Sequence, residues 1–440
     1  MVILMGLAAL ASADDESASR GVLVLRPGVS IVDVAARYDL VPVGSIPSRD
    51  MHLVTFPIGM DGPTFEGLSI DPDIEDAEVE YDSGDPGPGG QSLFLAGTFA
   101  DFVAQPVWSH LGIRGAQQSS TGLGVVVAIV DSGVDHTHPG LDGAVIPGGF
   151  DFVDGDTDPS EVANGIDEND SGVADEMYGH GTFAAGIVHL VAPDASILPV
   201  RVMDADGIST SFLVAQGIFH AIDAGAQVIN VSMGTFGESQ IISLAVEEAK
   251  EAGVLVVASS GNHGTTEPLF PATFSPVIAT TALGFDDVRP GFAAYGEHID
   301  VGAPGVDLVS LIPGDAYART DGTSYAAPLV SGGAALVFSI APESTSAFRL
   351  RLDATSIPVD AINPGDVGLL GSGRIMIDGL VSWWPICDAD LNGDGEANIF
   401  DVVLYLSRFD ASDDRADLND DGAFDIFDVL EYVARLEACP

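Results

Sequence analysis

Three segments, in the order carboxylate, imidazole, hydroxyl, carry the groups that an acyl-transfer site requires: VVVAIVDSGVD (125–135), GHGTFAAGIV (179–188) and GTSYAAPLVSGG (322–333). A serine hydroxyl is a poor nucleophile at neutral pH. It needs a neutral imidazole to take its proton, and that imidazole needs a carboxylate to fix its tautomer and stabilise its cation. Ser324, His180 and Asp131 are the candidates for these roles. VLVVASSGNHG (254–264) adds Asn262, whose side-chain amide can donate to an oxyanion.

The elements that must position these groups follow from the apolar pattern. A β-branched run that stops on Asp131 reads as a buried parallel strand delivering one carboxylate to the carboxyl edge of a sheet, and the run before Asn262 ends on the same edge. His180, between Gly179 and Gly181, opens the apolar stretch Phe183 to Val191, which predicts a helix start with room around the ring. Ser324 is expected in the first turn of another helix, where unpaired N–H groups and the positive end of the dipole face any oxyanion. Pro328 fits that helix awkwardly: it costs roughly 3 kcal/mol and removes an amide that would bond back near Ser324. Strands are expected near 124–131, 195–203, 226–233, 254–259, 277–283 and 299–303, with amphipathic helices at 211–224 and 239–252. The alternation predicts an α/β fold with a parallel sheet flanked by helices. Strands buried on both faces also account for a mean hydropathy of +0.30.

Asp131 in DSGVD, His180 in GHGT, Asn262 in SSGN and Ser324 in GTSYAAP resemble the four signature segments of subtilisin-like serine proteases, in that family's chain order. The resemblance implies an endopeptidase working through a covalent acyl-enzyme, with Asn262 and the Ser324 amide as the oxyanion hole. It further implies that Ser232, Met233 and Gly234 pair with the substrate backbone, and that Ser259, Ser260 and Gly261 form a wall of the primary specificity pocket. Phe183 stands where many relatives carry a second histidine and is read as a packing variant.

With 440 residues the chain has room for two or three domains. A formal charge of -51, from 66 acidic against 15 basic residues, argues against nucleic acid or an anionic membrane surface as partner. MVILMGLAALASADD reads as an apolar signal segment with a small-x-small cleavage pattern, so residues 1–13 are expected to be removed on secretion. Residues 14–81 form a small α+β unit: RGVLVLRPG and HLVTFPI are strand-like and SIVDVAARYDL has helical spacing. The Gly/Pro-rich stretch after it predicts an exposed linker over 82–97, ahead of a catalytic domain over 98–382. A small unit, a cuttable linker and a protease together resemble the inhibitory propeptide arrangement of subtilisin-like enzymes.

A tandem repeat near the end carries a second chemistry. DLNGDGEANIFDVVLYLSRF begins at Asp390 and DLNDDGAFDIFDVLEYVARL at Asp417, each fitting a Ca²⁺ loop with oxygen ligands at positions 1, 3, 5, 9 and 12 and glycine at position 6. The candidate ligands are Asp390, Asn392, Asp394, Asn398 and Asp401, then Asp417, Asn419, Asp421, Asp425 and Asp428. Pro385 excludes an entering helix, and position 12 holds Asp instead of a bidentate Glu. Loop then exiting helix, repeated once, resembles a type I dockerin over 386–440, which implies a small α-helical module and a cohesin-like or cell-surface protein partner. Whether the IFDV after each loop packs inside or faces that partner is left open by the sequence. Cys387 and Cys439 bracket the module, and a disulfide between them would contribute about 4 kcal/mol by loop-closure entropy. The acidic insertion 151–176 reads either as a further Ca²⁺ site without assignable ligands or as a solvated loop.

The expectation is a secreted, calcium-stabilised serine endopeptidase acting on protein or peptide substrates and tethered by its C-terminal module. The alternative is an inert or narrowly specific processing subtilase that serves mainly as a scaffold-associated binding protein.

Overall fold

The computed structural model describes residues 18–57, 67–84, 94–383, 389, 391, 397–411, 413–418 and 422–438. The expected signal segment, Cys387, Cys439, Asp390, Asn392, Asp394, Asn419 and Asp421 lie outside the described residues.

The β-branched runs form a seven-stranded sheet. Its order is Val301–Pro304, Val277–Leu283, Leu255–Ser259, Val228–Val231, Val126–Asp131, Ser196–Arg201 and Phe150–Asp151, and every neighbouring pair is parallel. Successive side chains leave a strand on opposite faces, so each strand must be apolar at both parities. Val127 and Ile129 accordingly pack with Phe183, Val188, Tyr325 and Val330, while Ala128 and Val130 pack with Phe212, Ile218, Ile241 and Val246. Helices His180–Val191 and Thr323–Phe338 thus cover one face, and Ser211–Asp223 and Gln240–Glu251 the other. Thr323–Phe338 is buried at every residue, as expected of a helix that is apolar all round. Among the described residues no helix is long and apolar enough to cross a membrane.

The N-terminal unit is an antiparallel sheet in the order Val41–Ile46, Met51–Pro57, Ala18–Leu25, Ile74–Val79, with the helix Ile31–Tyr38. Leu23, Leu25, Val34, Leu40, Val54 and Phe56 form its own core. Val22, Val24 and Leu53 point the other way and join the core under the helices Ser211–Asp223 and Gln240–Glu251. Polar contacts seal this face. Arg49 pairs with Asp223 and Glu248, each at 2.6 Å, and Glu78 accepts from Ser239 Oγ (2.7 Å) and the Gln240 N–H (2.5 Å), capping the second helix.

The segment expected as an exposed linker begins and ends in paired backbone. Asp82–Gly84 runs antiparallel to Ile208–Thr210, and Leu95–Gly97 antiparallel to Ala316–Thr320. Neither three-residue stretch contains proline, so edge strands satisfy their N–H and C=O groups despite the Gly/Pro composition between them.

At the other end, the helices Ile399–Asp410 and Ile426–Ala438 bring Tyr405 and Tyr432, equivalent positions of the two repeats, into a stack with ring centroids 4.2 Å apart. Leu350, from the helix Thr345–Thr355 of the preceding domain, enters the core these rings make with Leu391 and Leu418. Asp353 on the same helix holds Arg408 (3.1 Å) and Arg415. The module is docked on that helix. Each IFDV segment is divided: Ile399, Phe400, Ile426 and Phe427 are exposed, whereas Asp401 and Asp428 are buried and Val402 and Val429 pack against this core.

Candidate active site

Three neighbouring strands end on one edge. Asp131 closes Val126–Asp131, Ser232 lies just beyond Val228–Val231, and Asn262 just beyond Leu255–Ser259. The carboxyl edge of a parallel sheet is where such folds assemble sites.

His180 is the first residue of its helix. The Gly179 before it sits at φ 106°, a conformation that favours glycine. A Cβ on Gly181 would lie 2.1 Å from the Gly133 carbonyl oxygen, so bare backbone lets the helix start press against the loop after Asp131. The result is a hydrogen bond of 2.6 Å between His180 Nδ1 and Asp131 Oδ1, with both residues 0% exposed. The open space expected around the ring is therefore corrected: the flanking glycines serve close approach. The Ser132 N–H donates to Asp131 Oδ1 at 2.8 Å, a second hold on the carboxylate. Phe183 is buried against Tyr325 (ring centroids 4.6 Å) and Phe94 (5.8 Å), and Tyr325 also lies 5.2 Å from the His180 ring.

Ser324 occupies the first turn of Thr323–Phe338. Its Oγ donates to the Ser232 carbonyl at 3.1 Å, and Ser232 Oγ donates back to the Ser324 carbonyl at 2.8 Å. The second bond accounts for Pro328. Proline there removes the N–H that would have bonded to the Ser324 carbonyl, and the Ser232 hydroxyl supplies the missing donor. Asn230 Nδ2 donates to Ser232 Oγ at 2.8 Å, and Ser331 Oγ to Asn230 Oδ1 at 2.9 Å, so this link is held from both sides.

Asn262 has its side-chain oxygen engaged by the Thr323 N–H and Thr323 Oγ1, both at 2.9 Å. That orients the amide nitrogen as the donating end, next to the turn that carries Ser324. Ser232, Met233 and Gly234 are buried, and a Cβ on Gly234 would meet Leu269 at 2.7 Å. Ser259 and Ser260 are buried at the strand end, and the Gly261 N–H donates to Thr323 Oγ1 at 3.2 Å.

Sequence reasoning missed Glu161. It belongs to the acidic insertion read as a metal or solvent loop, yet its carboxylate is buried beside the Asp131–His180 pair. No local signal marks it, because its partners come from two other segments of the chain.

Of the ten Ca²⁺ candidates, Asn398, Asp401, Asp417, Asp425 and Asp428 are described. Asp417 Oδ2 accepts the Gly422 N–H (2.8 Å), and Asp428 accepts the N–H groups of Leu418 (2.9 Å) and Asp425 (3.0 Å), closing the second loop on itself. Asp401, Asp417 and Asp428 are buried carboxylates, a donor chemistry that fits a hard cation. Among the described residues no group of three or more His, Cys, Asp or Glu comes together as a complete metal site.

Comparison with known proteins identifies the family. Residues 122–351 match the model of the subtilase family. The chain is 42% identical to thermitase of Thermoactinomyces vulgaris over 231 residues, 52% of this chain and 79% of that protein. It is 37% identical to subtilisin BL of Lederbergia lenta over 265 residues, 58% of this chain and 90% of that one. To the thermophilic serine proteinase of Bacillus sp. (strain AK1) it is 43% identical over 216 residues, 49% of this chain and about half, 52%, of that protein's length. Among solved structures, fervidolysin from Fervidobacterium pennivorans superposes with a TM-score of 0.65 at 23% identity, over 84% of this chain and 61% of that one, which shows a common fold. The chain belongs to the subtilase family, the subtilisin-like serine endopeptidases.

Proposed function

We propose that the chain is a secreted endopeptidase that cuts protein or peptide substrates through Ser324, His180 and Asp131. The observation that carries this reading is the buried 2.6 Å bond between His180 Nδ1 and Asp131 Oδ1, beside the helix turn that bears Ser324. Ser324 Oγ attacks the scissile carbonyl carbon as its proton passes to His180 Nε2; Asp131 holds the tautomer and stabilises the imidazolium. The oxyanion is met by the Asn262 amide and the Ser324 N–H. The C–N bond then breaks, the proton leaves His180 with the amine, and water repeats the sequence on the acyl-enzyme. Ser232 to Gly234 and Ser259 to Gly261 are the substrate-binding strand and pocket wall in this reading.

Residues 14–81 act as a prodomain and the cut falls between the paired segments Asp82–Gly84 and Leu95–Gly97. The separate core of this unit, and its seating on two helices through Arg49 and Glu78, support that role. The C-terminal module binds Ca²⁺ through the two loops, which supplies positive charge among buried carboxylates, and offers the exposed pairs Ile399–Phe400 and Ile426–Phe427 to a cohesin-like or cell-surface partner.

A fluorophosphonate probe tests the chemistry. Wild type should be labelled once the N-terminal unit is removed, and Ser324→Ala should not; a folded, unlabelled wild type would leave the inert, scaffold-associated reading in its place.

A further inference from the structure

Glu161 is the one carboxylate among the described residues that bonds to both sides of the Asp131–His180 pair. On one side, Ser132, the residue after Asp131, donates its hydroxyl to Glu161 Oε1. On the other, the first turn of the His180 helix turns three donors toward the same group: the Gly179 N–H at 3.1 Å and the Gly181 N–H at 3.2 Å on Oε1, and the Thr182 hydroxyl on Oε2. Two cross-links complete the cage. The Gly181 N–H also reaches Ser132 Oγ at 3.0 Å, and Thr182 Oγ1 accepts the Asp135 N–H at 2.8 Å. The segment carrying Glu161 is fixed from beneath, because the Val134 N–H donates to the Pro159 carbonyl at 3.0 Å, and a Cβ on Gly133 would lie 2.9 Å from the Glu161 nitrogen.

We propose that Glu161 is the positioning carboxylate of this active site, tying the start of the His180 helix to the residue after Asp131 so that imidazole and carboxylate stay aligned for proton transfer. The proposal rests on the serine-protease reading above. All four partners are N–H or O–H donors, which suits an ionised acceptor. A carboxylic acid in this position would have to turn its own proton toward one of them, and an amide would present two. Glu161 works by holding its neighbours; it touches no substrate.

Its surroundings make the role titratable. Burial, with the Asp131 charge adding to it, pushes the Glu161 carboxyl up to about 7 against the bonds from Ser132 and Thr182. The titratable groups that act on it are Asp131 on the strand, which His180 engages on its other side, and Tyr178 before the helix; His136 and Asp158 bond to the neighbouring Ser160. None of the ion pairs among the described residues supplies Glu161 with a cation. The ionised cage is therefore lost as pH falls through about 7.

The test is the pH dependence of kcat for the processed enzyme and for Glu161→Gln, at active-site concentrations set by fluorophosphonate titration. Wild type should show two ionisations on the acid limb. Glu161→Gln should retain one, with kcat lower by about 10- to 100-fold and KM within a factor of two. Glu161→Asp, which keeps the charge, should recover part of kcat and the second ionisation. A single ionisation in wild type overturns the proposal without any variant. So does a labelled Glu161→Gln with wild-type kcat and an unchanged acid limb. Failure of wild type to label at all would instead strike the serine-protease reading.

Discussion

Asn262 has two donors on its side-chain oxygen, which leaves its nitrogen directed by Thr323 rather than by the substrate. A donor pre-set in this way favours the charged transition state over the neutral carbonyl. Asn262→Ala should accordingly lower kcat by about 10²- to 10³-fold with little change in KM, a magnitude known from the equivalent amide of a subtilisin. Steady-state kinetics on a peptide anilide checks this, and a change confined to KM would assign Asn262 to ground-state binding. At this scale the sequence was informative where chemistry and local pattern coincide: Asp131, His180, Asn262 and Ser324 each end or begin a periodic segment. It was silent on Glu161, whose four donors lie at Ser132 and from Gly179 to Thr182, because a buried acid in an acidic stretch has the same local composition as a solvated one.

The helix that bears Ser324 accommodates its internal proline by an exchange between elements. Pro328 withdraws one backbone donor, and Ser232, arriving from a different strand, replaces it. Ser232→Ala should leave a buried carbonyl unpartnered and destabilise the fold by about 1–3 kcal/mol. Pro328→Ala restores a helical N–H at the same carbonyl, so the double variant should recover much of that loss. Denaturant unfolding of the four proteins of this cycle measures the coupling, and additive effects would show that the two residues act independently. The strands themselves were readable because burial on both faces demands uninterrupted runs such as VVVAIVD. The pairing of Asp82–Gly84 with Ile208–Thr210 was not, since three residues of extended backbone bring main-chain bonds and little side-chain pattern.

At the scale of the whole molecule, 66 acidic residues against 15 basic ones mean that cations must offset much of the self-repulsion. The C-terminal module concentrates this need, with Asp401, Asp417 and Asp428 buried. In the full-length Ser324→Ala chain, chelation should reduce helical circular dichroism and lower the melting temperature, and calorimetric titration should return two Ca²⁺ per chain; spectra and melting unchanged by chelator would refute the assignment. Leu350 and Asp353 would carry such a dependence inward, because one helix of the protease domain takes part in the core and the ion pairs of the module. The strands Asp82–Gly84 and Leu95–Gly97 have an opposite effect on the other end of the chain. Each is paired separately, so scission between them would leave the two paired segments held by different partners, and a contact maintained by covalent tethering would become a complex that dissociates only as dilution allows.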